Sequence, residues 1–450
     1  MELFKTFTPW AFFVDLGLIA ILLLLGQILR AKIQLIQRLF IPPSLIAGLL
    51  GLALGPNGLG WLPFSNELGT YAAILIAIVF ASLPFSSSNA PLKEVVRTAG
   101  PMWAYAQLGM LLQWGTVGLI GIFVIKAFWP ELHDAFGVMF PTGFYGGHGT
   151  AAAIGSAFEG LNWEDARSLG MMTATLGVIS AIAGGLIFIK WATRHKQTAF
   201  ITDFDELPDE LKSGLVPTEK RTSMGSATTS SISIDSLTFH FALVCVVALV
   251  GYLCSRGVKS YFPVLELPVF SCAFIAGLIL KKILDVTKIS EYVCSQTTSR
   301  IGSMATDLLV AFGVASIKLN VIVKYAVPLI VLVVLGIIVT FLITFYFGRK
   351  LSKNYWFERT IFAWGWWTGT MAMGIALLRI VDPKLSSKAM EDYALAYLPI
   401  APVEIILITL VPILFAKGLG VWVLVGCLAL ALVTILIAWA MKWFVPRSKR

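Results

Sequence analysis

Residues 140–155 read Phe140-Pro141-Thr142-Gly143-Phe144-Tyr145-Gly146-Gly147-His148-Gly149-Thr150-Ala151-Ala152-Ala153-Ile154-Gly155. Five glycines interleaved with Thr and His permit close backbone approach and positive φ. Non-helical backbone at membrane depth survives only where protein or a watery cavity surrounds it. A helix starting near Thr150 directs unpaired N–H groups and a positive dipole end into the protein, where a carboxylate can sit. The hydroxyls of Thr142 and Thr150, with freed carbonyls, are hard oxygen ligands for an alkali cation. The competing reading is that small residues simply let helices pack closely.

The surroundings make membrane depth the relevant setting. The chain has 450 residues, 58% hydrophobic and only 13% charged, with a mean hydropathy of +0.84. Soluble domains average about 45–50% apolar and about 25% charged, so lipid is the solvent here. This excludes a soluble enzyme, a nucleic-acid binder and a singly anchored receptor. The net charge of +9 comes from basic residues at the ends of apolar runs, where they act as topology signals. The five cysteines show no metal spacing and read as free thiols. The first apolar run reads as a retained span rather than a cleaved signal.

Apolar runs predict crossings near 10–29, 39–55, 69–85, 101–128, 168–191, 237–255, 263–281, 303–319, 326–348, 392–416 and 420–441. Two Gly/Thr-rich segments, near 135–158 and 357–381, read as loops that enter the membrane and return. With the N-terminus outside, most of the basic residues are cytoplasmic, leaving Lys5, Lys126, Arg167, Arg256, Lys259, Lys318, Lys324 and Lys417 outside. The C-terminus is then cytoplasmic, with Lys442, Arg447, Lys449 and Arg450. Residues 192–236 carry Asp203, Asp205, Glu206, Asp209 and Glu210 and a Ser/Thr-rich run, which is the composition of a cytoplasmic linker.

Three short matches recur in order on either side of that linker. Ile46-Ala47-Gly48-Leu49-Leu50 resembles Ile275-Ala276-Gly277-Leu278-Ile279, Ala81-Ser82 resembles Ala315-Ser316, and Gly149-Thr150 followed by Ala152 resembles Gly369-Thr370 followed by Ala372. A duplicated unit of five crossings plus one re-entrant segment must invert in the membrane, because five is odd. The expected organisation is a half at 1–191, the linker at 192–236, an inverted half at 237–416, and an extra helix with a basic tail at 417–450.

The second Gly/Thr segment, Trp364-Gly365-Trp366-Trp367-Thr368-Gly369-Thr370-Met371, carries three tryptophans that read as interfacial anchors at the cytoplasmic mouth. Arg379 follows, and reads either as an ordinary cytoplasmic-side charge or as a fixed cation for an acidic substrate. His148 reads as a structural or substrate-orienting group. Among ionisable residues in spans, Asp15 reads as interfacial and Asp307 as snorkelling to the cytoplasmic face, whereas Glu404, loosened by Pro399 and Pro402, is placed for a site. Thr173 and Thr175 are its approximate counterparts in the first half. The candidate Na+ ligands are Thr142, Thr150, Thr173, Thr368, Thr370 and Glu404. No hydrolase motif and no nucleotide-binding P-loop occurs in the sequence. A secondary transporter is the expectation, with a proton-coupled or different-anion transporter and a passive channel as alternatives.

The run from Gly146 to Gly185, GGHGTAAAIGSAFEGLNWEDARSLGMMTATLGVISAIAGG, resembles the bacterial sodium/glutamate symporter family, whose first re-entrant loop carries the same GGHGTA core. The resemblance implies a homodimeric secondary transporter of the bacterial inner membrane that couples Na+ influx to uptake of an acidic amino acid, with no cofactor beyond the coupling ion. Gly146, Gly147, His148, Gly149 and Thr150 match its first loop, and Gly369 with Thr370 match the second. Trp364, Trp366 and Trp367 stand where the family usually has small residues, and the eleventh span exceeds its usual ten. The implied mechanism brings the two loop tips together near the midplane, with one bundle moving against the other.

Overall fold

The structure, a computed structural model, describes residues 8–38, 41–86, 92–200, 212–221, 223–230, 232–261, 267–382 and 385–445. The acidic residues Asp203 to Glu210 and the C-terminal Arg447, Lys449 and Arg450 lie outside these. Every regular element among the described residues is helical. In chain order the principal helices are α1 (Pro9–Lys32), α2 (Pro43–Leu54), α3 (Leu68–Ser86), α4 (Leu92–Leu112), α5 (Met139–Phe144), α6 (Gly147–Gly160), α7 (Ala166–Arg194) and α8 (Ser236–Tyr261). They continue with α9 (Val269–Val286), α10 (Ser295–Ala315), α11 (Leu319–Leu351), α12 (Trp356–Thr368), α13 (Met371–Val381), α14 (Ala389–Ala416) and α15 (Gly420–Ala440). Two π-helical turns, Gln113–Val117 and Gly121–Ile125, carry α4 onward to Phe128.

Eight helical segments among the described residues are long and apolar enough to cross a bilayer. Three of the predicted crossings fall short of that. The one at 39–55 is observed as α2, whose 12 residues reach only about 18 Å. The one at 263–281 becomes α9, whose last turns carry Lys281, Lys282 and Asp285. The one at 303–319 becomes α10, which begins with the polar run SQTTSR. All five cysteines are free.

The chain forms two compact units, and each draws on both sides of the central linker. One unit contains α1 as far as Gly26, α2, α3, α8, α9 and α10. Its core includes Ile19, Leu22, Ala47, Phe64, Tyr71 and Phe312. Asp15 is not interfacial: it is 1% exposed, and its carboxylate accepts the Ser65 N–H at 3.0 Å, the Ser65 hydroxyl at 2.5 Å and the Tyr71 hydroxyl at 3.0 Å. A buried carboxylate without a cation persists because three donors satisfy it. Asp307 is exposed on α10 and lies near Ser44 at the start of α2.

The other unit contains α4 to α7 and α11 to α15, with α7 as its spine. The two segments read as loops are helical hairpins. Descending α7, Gly155 lies against Arg167, Gly170 against Ala151 and Gly177 against Phe144. The chain has also returned at Met139, whose carbonyl accepts the Thr173 hydroxyl at 2.8 Å. Helices α5 and α6 therefore fold back on each other, with the turn at Tyr145 and Gly146. Helices α12 and α13 do the same: Gly365 lies against Gly374, and Gly374 against Phe362. The base of this second hairpin is tied by Arg359, which pairs with Asp392 at 2.5 Å and donates to the Ser387 carbonyl at 3.3 Å.

The base of the first hairpin is aromatic. The His133 ring stacks on Trp163 at 4.2 Å, meets Phe158 edge-on at 5.8 Å, and accepts the Ala135 N–H through Nδ1 at 3.1 Å. His133 lies in the connection ahead of the hairpin, outside the long apolar helix. Burial lowers its pKa below the ordinary value, with Asp134 opposing and Lys126 assisting. The folded state thus favours neutral imidazole, and stability falls as pH drops below the ordinary histidine value of about 6.5. Protonating Nδ1 also removes the cap acceptor, a loss on the order of 1 kcal/mol. Thermal unfolding in detergent at pH 7 and pH 5 is expected to show a smaller acid-induced loss for His133→Asn, which keeps a cap acceptor without a titrating ring. Parallel pH profiles for the two proteins would remove His133 as the titrating group.

Candidate functional site

The two hairpins address α7 from opposite ends. Arg167 of α7 meets Gly155 of the first, whereas Gly184 and Gly185 meet Trp364 and Leu377 of the second. Between these levels the two tips come together. A Cβ on Gly147 would stand 3.1 Å from the Gly369 carbonyl oxygen and 3.4 Å from Thr370 Cγ2. Gly147 has φ +64°, a conformation that costs a residue with a side chain about 1–2 kcal/mol. Gly177 of α7 lies directly against the Thr368 carbonyl, leaving no room for a Cβ. Gly369 rests beside Ala181.

This geometry brings four helix ends to one junction. Helices α6 and α13 begin there, at Gly147 and Met371, while α5 and α12 end there, at Phe144 and Thr368. Two helix N-termini and two helix C-termini share one small volume, which suits an anion and a cation together. Helix α6 starts at Gly147 rather than near Thr150, so the glycines of GGHGT form its first turn instead of a preceding loop. Glycine at φ +64° makes the sharp entry that a longer loop was expected to supply.

The sequence candidates divide by position. Gly146, Gly147, His148, Gly149, Thr150, Thr368, Gly369 and Thr370 are all at or beside the junction. His148 Nε2 lies 3.3 Å from the Thr175 hydroxyl, which itself donates to the Met171 carbonyl at 2.9 Å. Thr370 caps α13, its hydroxyl oxygen accepting the Met373 N–H at 3.4 Å. Thr142, Thr173 and Thr368 donate to carbonyls one turn back, those of Val138, Gly170 and Trp364. Arg379 is nine positions beyond Thr370, about 13 Å along α13, so it sits toward the base of the hairpin. Its Nε is buried without a partner. Glu404, on α14, accepts the Tyr397 hydroxyl at 3.0 Å.

The three tryptophans are not interfacial anchors. Trp364, Trp366 and Trp367 are 1%, 5% and 1% exposed. Trp364 Nε1 donates to the Ala181 carbonyl at 3.1 Å, and glycines make room for the large rings: Gly184 receives Trp364, and Gly109 receives Trp367. Trp366 meets Tyr145 at 5.1 Å and Tyr393 at 4.3 Å, and Tyr105 meets Trp367 at 4.7 Å.

Residues that sequence reasoning passed over complete the surroundings. Gln113, in the first π-helical turn, donates through Nε2 to the Thr340 hydroxyl at 2.8 Å and the Trp367 carbonyl at 3.1 Å, while its Oε1 is buried without a partner. An amide in a largely apolar run, which it shares with Gln107, was the available signal, and π-turns often mark functional positions. Tyr145, Tyr393 and Tyr397 had no comparable signal, because tyrosines in apolar helices are ordinarily packing residues.

A family model described as sodium/glutamate symporter matches residues 13–366. The sodium/glutamate symporter of Escherichia coli (strain K12) is 25% identical over 340 residues, covering 74% of this chain and 79% of that protein. Its namesake in Haemophilus influenzae is 27% identical over 351 residues, covering 76% and 81%. A solved sodium proton antiporter from Methanocaldococcus jannaschii aligns at 15% identity and a TM-score of 0.41, covering 93% of this chain and 99% of that one. The family match takes in the first hairpin, α7 and most of α12 and ends just before Gly369. With so much of its length matched, this multi-pass membrane chain belongs to the sodium/glutamate symporter family.

Proposed function

We propose that the chain imports glutamate, or a closely related organic anion, in symport with Na+. It does so as a homodimer in the bacterial inner membrane, with the N-terminus outside and the C-terminus cytoplasmic. The observation that carries this reading is the meeting of the two hairpin tips at Gly147 and Gly369. The N-termini of α6 and α13 hold substrate carboxylates there through N–H groups and helix dipoles. The carbonyls ending α5 and α12, with the Thr150 and Thr370 hydroxyls, hold Na+. Placing opposite charges in one low-dielectric junction makes each ligand strengthen the other's binding, which is what coupling requires. Alternating access opens that junction first to one side and then to the other. The two sides of the central linker present the same order of elements: three helices, one helix, a hairpin and a helix. That order supports an inverted repeat at 1–191 and 237–416, joined by the 192–236 linker. The names of the relatives support the same substrate and ion.

Purified protein in proteoliposomes is expected to concentrate labelled glutamate only under an inward Na+ gradient, with saturable uptake. Equilibrating, Na+-independent flux would replace the symporter by a passive pathway.

The glycines give a sharper test. Gly147→Ala is expected to insert at the wild-type level and lose uptake at least tenfold, because a Cβ both opposes φ +64° and fills the junction, together about 2 kcal/mol. Gly184→Ala is expected to reduce protein abundance instead, since its Cβ would stand 2.5 Å from the Trp364 ring. Abundance and uptake should be measured on the same membranes. Equal losses of both at Gly147 would make it a packing residue.

A further inference from the structure

The most unusual charge in the site-bearing unit is Glu404. It is partly buried, and its hydrogen-bond partner is the Tyr397 hydroxyl at 3.0 Å. None of the ion pairs among the described residues includes it. Asp15, another carboxylate outside those ion pairs, accepts three hydrogen bonds. Among the described residues Glu404 has one hydrogen-bond donor, the Tyr397 hydroxyl.

Its surroundings connect it to both hairpin tips. Tyr145, at the turn of the first hairpin, meets Trp366, near the end of α12, at 5.1 Å between ring centres. Trp366 meets Tyr393 at 4.3 Å and Tyr397 at 6.1 Å, and those two tyrosines meet each other at 5.7 Å. Tyr145, Tyr393 and Tyr397 all lie within electrostatic range of the Glu404 carboxylate. Tyr145 is 3% exposed, and its hydroxyl is buried without a hydrogen-bond partner.

A negative charge beside a junction built for anions repels a purely anionic ligand. It becomes an asset when the ligand brings a positive group to it. Aromatic faces together with a carboxylate are the chemistry that recognises an organic ammonium, and a group with several N–H donors satisfies both Glu404 and the orphaned Tyr145 oxygen. We propose that Glu404, with the Tyr145, Tyr393 and Tyr397 rings around it, seats the ammonium group of the substrate, so that this transporter selects acidic amino acids over dicarboxylates lacking an amine. The proposal rests on the reading of the chain as an importer of glutamate-like anions and adds Tyr393, Tyr397 and Glu404, which lie beyond the family match.

The test is competition against labelled glutamate uptake in proteoliposomes of the full chain at saturating Na+, using glutamate, glutarate and N-acetylglutamate, for the wild type, Glu404→Gln and Tyr145→Phe. The wild type should be inhibited by glutarate and N-acetylglutamate at least about tenfold more weakly than by glutamate, as loss of a charge-assisted contact implies. Glu404→Gln should shrink that preference to about twofold with the Na+ half-saturation unchanged, and Tyr145→Phe should shrink it partially. Wild-type inhibition by glutarate as strong as by glutamate would overturn the ammonium seat while leaving anion transport standing. So would a Glu404→Gln protein that keeps its amine preference but shifts its Na+ half-saturation, which would make Glu404 a coupling-ion ligand. If Glu404→Gln fails to accumulate, the wild-type panel and Tyr145→Phe still decide. No labelled glutamate uptake by the wild type would instead bring down the transport reading itself.

Discussion

Everything in the site-bearing unit depends on what happens to unpaired backbone groups at the two hairpin tips. Each turn leaves N–H groups at the start of one helix and carbonyls at the end of another, and in a lipid surrounding no water is on hand to satisfy them. The chain solves this by bringing both tips to the middle of α7. Gly177 and Ala181 let the second tip reach the helix backbone, and Gly147 lets the first tip touch the second. Helix ends gathered in one small volume are the chemistry the proposed site draws on, because backbone groups buried without a partner cost free energy.

The same constraint explains the tryptophans. A hairpin entering a helical unit must be wedged firmly enough to hold its tip in register, and large rings set into glycine beds do that. Trp364 seats at Gly184 and Trp367 at Gly109, while Trp366 reaches across to Tyr145 of the other hairpin. Relatives with small residues at such positions would pack these legs differently. Tip geometry in this chain therefore depends on complementary pairs, a bulky ring on one helix and a glycine on its neighbour.

How much of this could be read from the sequence varies by residue. The Gly/Thr stretches, the helical class and the junction glycines were legible, because dense glycine at membrane depth points to close backbone approach. The buried tryptophans were not, since three of them next to a polar turn look like an interfacial belt until the opposing glycines are known to face them. The short α2 and the polar start of α10 escaped notice because a hydropathy window measures length and apolarity but not where a helix stops. Asp15 read as interfacial because its donors, Ser65 and Tyr71, are separated from it by about fifty residues. The aromatic neighbours of Glu404 come from the first hairpin turn as well as from its own helix, and only the fold brings Tyr145 to the other two.

The most direct measurement is a cryo-EM reconstruction of the full-length protein in lipid nanodiscs with saturating Na+ and glutamate. The account predicts ligand density between Gly147 and Gly369, with carboxylate lobes toward the starts of α6 and α13. Tips held apart, or glutamate density seated away from both hairpins, would contradict it.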